Sequence, residues 1–154
     1  MKKCFVVAAI LVLLSCEYKQ VTPGDSFSSA DSFTFGFAGG WCTGARFWLL
    51  RDQKLLVDSI KGCYRGETLA FQSTPLPSGS YALAKKILDD LPPYLFKNPT
   101  KTFGCPNCAD QGTLYLGMTY KGSTYSWTLD PDTANLPTEI KGYVKEINEL
   151  LSQL

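Results

Sequence analysis

Two periodicities of apolar residues run along the chain. Phe33, Phe35 and Phe37 alternate with Thr34 and Gly36, which predicts a half-buried strand, and Gly39-Gly40 breaks it. Residues 45–50 and 54–60 are two further apolar runs, rich in aromatic and branched side chains and separated by Asp52-Gln53. If those two residues form a hairpin loop, Arg51 faces Lys54, and the same register sets Cys42 opposite Cys63. That would be a non-hydrogen-bonded pair with Cα atoms about 4.5 Å apart, at the short end of disulfide geometry. Asp-Gln is a poor two-residue turn, so a longer loop with a shifted register stays open.

Residues 67–73 offer a further strand, ended by Pro75 and Pro77. Ser78 or Ser80 then caps a short helix through Leu91, with Leu83, Ala84, Ile87, Leu88 and Leu91 on one face. This stripe reads as core packing rather than a cofactor box. Pro92-Pro93 stops the helix, and residues 94–103 read as irregular. Leu114, Leu116, Met118 and Tyr120 alternate, as do Tyr125, Trp127 and Leu129, around Lys121-Gly122. A two-residue turn there brings Met118 opposite Tyr125, Leu116 opposite Trp127 and Leu114 opposite Leu129, so the whole apolar face falls into register. Asp130-Pro131-Asp132 closes that strand. Pro137 suits the first turn of a last helix striped by Ile140, Tyr143, Val144, Ile147, Leu151 and Leu154. The order of elements predicts one α+β domain over residues 32–154: an antiparallel sheet of about five strands, with a short middle helix and a C-terminal helix packed on one face.

The N-terminus carries a different signal. Met1-Lys2-Lys3 is a positive start, and residues 5–14 form an apolar run of about ten, short of the roughly 20 that span a bilayer. Leu13-Leu14-Ser15-Cys16 resembles the lipobox of bacterial lipoproteins. The resemblance implies that residues 1–15 are a signal peptide and that Cys16 is acylated, with palmitate-type chains holding the protein to a membrane. An ordinary secretory signal is the alternative. Either way Cys4 is removed, and the remainder enters an oxidising compartment. Residues 17–31 are polar, without apolar period, and read as a tether reaching about 50 Å extended or about 20 Å as a coil. The expected location is the bacterial cell envelope, with the outer membrane favoured.

Composition narrows the chemistry. The chain has 154 residues, 45% hydrophobic and 13% aromatic, enough for one ordinary core. It has no histidine, which removes Ser-His and Cys-His dyads, His-ligated zinc enzymes and His general bases. Without Lys2 and Lys3, 13 basic residues face 14 acidic ones, a balance that disfavours nucleic acid as a partner. Neither a Gly-rich phosphate loop nor a Ser-x-x-Lys pair occurs. Asp110, Asp130 and Asp132 read as turn and cap formers before cation ligands. Asp89 and Asp90 stand in the last turn of the middle helix, where the dipole disfavours acids. Trp41, Trp48 and Trp127 read as packing residues, with a binding groove as the sharper reading.

The cysteines hold the remaining chemistry. Gly104-Cys105-Pro106-Asn107-Cys108-Ala109-Asp110-Gln111-Gly112 packs two cysteines, a Pro-Asn turn and two glycines into nine residues. With Cys16 lipidated, Cys42, Cys63, Cys105 and Cys108 allow three full pairings. Structural bridges Cys42–Cys63 and Cys105–Cys108 are the plain reading. The second closes so small a loop that its role is local, fixing the turn before the Leu114 strand. A redox dithiol at Cys105 and Cys108 is the sharper one, although such pairs sit at helix N-termini, and here a turn leads into a strand. A four-cysteine zinc site and crossed pairings complete the set.

The block at 104–112, the Tyr125, Trp127 and Asp130 positions, Asn135-Leu136-Pro137, and the Phe-Gly-Phe to Cys segment at 35–42 resemble a group of small Bacteroidota lipoproteins. The resemblance spans nearly all of the mature domain, and the nine-residue block is its specific part. It implies location and architecture and supplies no activity. In that group a second cysteine often follows the position of Cys42, whereas here Cys63 stands instead. The expectation is a lipid-anchored envelope protein serving as a non-enzymatic binding or accessory module, with no catalytic residue, cofactor or metal assigned. The alternative is a thiol-disulfide protein using Cys105 and Cys108.

Overall fold

The period-two segments pair with one another as their alternation requires. A computed structural model describes residues 27–59, 62–66 and 68–154, leaving aside the side chains of Ser28 and Cys42. Its strands are β1 (Ser32–Ala38), β2 (Ala45–Arg51), β3 (Lys54–Val57), β4 (Lys101–Phe103), β5 (Thr113–Tyr120) and β6 (Ser123–Leu129). Its helices are α1 (Ser78–Asp89), α2 (Pro93–Phe96) and α3 (Thr138–Leu151). The sheet order is β3-β2-β1-β5-β6-β4. All neighbours are antiparallel except β4, which joins β6 in parallel at the edge. The class is α+β as expected, but the sheet is mixed and has six strands.

Phe33, Phe35, Trp48, Leu50 and Leu55 from one half of the sheet, and Leu114, Leu116, Met118, Trp127 and Leu129 from the other, present a single apolar face. Ala84, Ile87 and Leu88 of α1 and Ile140, Val144 and Ile147 of α3 pack onto it. The opposite face holds a smaller aromatic group, in which Phe47 meets Tyr64 and Tyr115. Phe47 lies across Gly36, where a Cβ would come within 2.5 Å of its ring.

Both hairpins take the register their apolar faces demand. Leu114, Leu116 and Met118 face Leu129, Trp127 and Tyr125, across a turn with positive φ at Lys121 and Gly122. Arg51 faces Lys54, and Asp52 and Gln53 adopt φ of 51° and 56°, so the unfavourable pair does form the tight loop. That ladder ends at Trp48 opposite Val57. The positions of Cys42 and Cys63 therefore lie beyond the paired strands, Cys42 in a 3-10 turn at Gly40–Cys42. Instead of a strand, the stretch around residues 68–73 makes one bridge, Asp58 to Phe71. Two of its amides are bonded to the neighbouring chain: the Gln72 N–H donates to the Val57 carbonyl and the Ala70 N–H to the Asp58 carboxylate, both at 2.9 Å.

Residues 94–103 carry more structure than their sequence suggests. α2 and β4 are fastened by the Trp127 indole, whose Nε1 donates to the carbonyls of Leu95 and Asn98, each at 3.0 Å. α1 starts at Ser78 after Pro77, with neither serine capping it. Its acidic last turn is matched by Lys85–Asp89 and Lys86–Asp90 pairs, and Lys86 also reaches Glu146 of α3. The Tyr143 hydroxyl donates to the Ile87 carbonyl at 2.8 Å, a second tie between the helices. Phe27, within the stretch read as tether, stacks on Phe96 at 3.8 Å between ring centroids. Among the described residues no helix is long and apolar enough to cross a membrane. Cys16, the expected signal peptide and most of the expected tether fall outside the described residues.

Candidate functional site

The nine-residue block forms a corner between β4 and β5. Cys105 and Cys108 sit at disulfide distance, with Cα atoms 5.5 Å apart. The chain turns through positive φ at Gly104, Asn107, Asp110 and Gly112, residue types that tolerate this region. The Cys108 N–H donates to the Cys105 carbonyl and the Asn107 N–H to the Gly112 carbonyl, both at 3.1 Å. Residues 106–109 are a turn, followed by β5 without an intervening helix.

Asp130, fully buried at the end of β6, is the hub of this corner. It accepts from the Cys105 N–H at 3.0 Å, the Gln111 Nε2 at 3.1 Å and the Asp132 N–H at 2.9 Å. Gln111 also donates to the Cys105 carbonyl and accepts from the Ala109 N–H. Burial pushes the Asp130 carboxyl pKa up, but the bonds from Gln111, Cys105 and Asp132 outweigh it and hold the group below its ordinary range. Glycines let the corner sit flush. A Cβ on Gly40 would lie 2.1 Å from the Asp110 carbonyl, and one on Gly104 2.5 Å from Asp130. A Cβ on Gly112 would strike the Phe37 ring.

Phe37 links the corner to a cleft of about 500 Å³ between β2 and the end of α3. Phe37, Trp48 and Leu151 supply its apolar walls, Arg46 its charge, and Asn148 and Ser152 its polar rim. Arg46 and Trp48 are two apart on β2 and so share a face, with the guanidinium 5.1 Å from the indole centroid. The Asn148 Nδ2 donates to the Pro131 carbonyl at 3.1 Å, fastening α3 to the turn that carries Asp130. The loop at 43–45 forms the remaining wall and continues from Trp41, which is 83% exposed and has φ of 51°.

Of the four cysteines, Cys105 and Cys108 are together at the corner, and Cys63 is disulfide-bonded. The expected partner, Cys42, has its side chain outside the described residues. Among the described residues no three or more Cys, Asp or Glu side chains converge as a metal site. Asp130 and Asp132 do form turns as their sequence suggests, Asp132 accepting from the Ala134 N–H at 2.9 Å. The central role of Asp130 was not apparent in the sequence, nor was Arg46. The signal available for Arg46 was its place as the sole cation within the apolar run 45–50. No family model matches the chain, and no curated protein matches it.

Proposed function

We propose that the chain is a lipid-anchored envelope module that binds rather than transforms its ligand, with Cys16 as the acylated residue and the Cys105–Cys108 corner as a structural clamp. The observation carrying this reading is the corner's hydrogen bonding. A reactive dithiol needs unpaired N–H groups or positive charge near the sulfur to favour the thiolate. Here the amides of Cys105, Asn107, Cys108 and Ala109 are all committed to protein acceptors. The charged group bonded at Cys105 is a carboxylate, Asp130, on the Cys105 N–H, and not a cation. The clamp instead holds Phe37 and the α3 end in place around the cleft.

The test is the thiol state of the full chain, alkylated without reduction and titrated in graded glutathione buffers. A clamp resists reduction to about −300 mV, whereas a pair opening near −200 mV would overturn the structural reading. Labelled palmitate incorporated in the native host, and lost in Cys16→Ser, checks the anchor.

A further inference from the structure

The cleft between β2 and α3 has a composition that selects a class of ligand. Its volume of about 500 Å³ suits a small molecule, and Arg46 carries the one formal charge among its lining residues. Among the described residues that charge, on Arg46, has no carboxylate partner. The nearby end of α3 does not neutralise it, because that end caps itself. The Glu149 carbonyl accepts from the Ser152 hydroxyl and the Gln153 amide, Leu150 from Gln153, and Leu151 from Leu154. Trp48, whose ring lines the same wall, makes the indole N–H a reporter of the cleft. The Trp48 Nε1 is buried without an acceptor, alone in this among the buried side-chain polar atoms of the described residues. A smaller cleft of about 240 Å³ at the opposite end of β2 lacks this imbalance, since Arg51 pairs with Asp52 and Lys85 with Asp89.

We infer that the cleft binds a small amphipathic carboxylate, its apolar tail against Phe37, Trp48 and Leu151 and its carboxylate on the Arg46 guanidinium. This assignment rests on the binding-module reading and names the ligand class for it. Guanidinium is suited to a carboxylate because its fork matches both oxygens, and the apolar walls exclude ions that lack a tail.

The probe is octanoate, added to the full chain labelled with [15N]tryptophan, with octanol as the neutral comparison. Three indole N–H signals are expected, from Trp41, Trp48 and Trp127, each assigned by a Trp→Phe substitution. Octanoate shifts the Trp48 signal saturably, with Kd below about 1 mM. Trp127, already bonded to two carbonyls, stays in place and reports that the fold is intact. Octanol binds about tenfold or more weakly, and Arg46→Gln weakens octanoate by about the same factor. The proposal is overturned if Trp48 does not move, if octanol binds as well as octanoate, or if Arg46→Gln leaves the affinity unchanged. None of these outcomes bears on the glutathione titration, so failure of the ligand class and failure of the clamp reading are separate results.

Discussion

Asp130 shows how one side chain can organise a segment remote from it in sequence. Its three donors come from Cys105, Gln111 and Asp132, so the carboxylate ties both sides of the corner to the end of β6. Asp130→Asn keeps the shape but turns an NH2 group toward at least one donor. The expected loss is about 1.5–3 kcal/mol, read by urea denaturation at pH 7. The pH dependence has a definite sign. A carboxyl whose folded pKa lies below its unfolded value, near 3.8, stabilises the fold above that value. The contribution is lost as pH falls through the folded pKa. The stability gap between wild type and Asp130→Asn therefore narrows below roughly pH 4. Sequence alone identified Asp130 as a turn former and stopped there, because its other partners lie 19 and 25 residues away.

Among the elements, the hairpins were legible and the edge was not. Leu114 to Leu129 reads as a hairpin because each residue's face is fixed by its own alternation, and a slip of one residue exposes the entire apolar side. α2 and β4 carry no such local signature. They exist because Trp127, on another strand, donates to the carbonyls of Leu95 and Asn98, and because Phe103 finds a buried place beside β6. The strand expected at 67–73 stops at the single bridge of Phe71 to Asp58, although the edge of β3 is open, because Pro75 soon follows and has no N–H to continue a ladder. Trp127→Phe removes the indole N–H and some volume, and leaves two carbonyls without their donor. An expected loss of about 2–4 kcal/mol follows, measured by thermal or urea unfolding. Hydrogen exchange at residues 101–103 accelerates before exchange in β1 or β5 does.

For the molecule as a whole, the fold class was legible because it follows from the order of apolar periods, whereas the cleft was not. Its walls come from β1, the loop before β2, β2 itself and the last turn of α3, and nothing in the chain's local pattern announces that Arg46 and Leu151 line one cleft. The same is true of the corner, whose glycines are explicable only against their tertiary neighbours, Gly40 against Asp110 and Gly112 against Phe37. The sheet order places β1, the first strand, in the middle, between β2 and β5. This arrangement has a mechanical consequence. A pull applied to the chain ahead of β1 is borne by six residues laced to neighbours on both sides, from Phe33 opposite Leu50 and Met118 to Ala38 opposite Ala45 and Thr113. Loaded along its axis, such a strand shears and cannot peel, so both ladders yield together. Optical-trap stretching from the two chain ends is expected to show one abrupt rupture, and a separate early release of β1 would contradict it. A domain moored by its N-terminal side would thus transmit tension into its stiffest part.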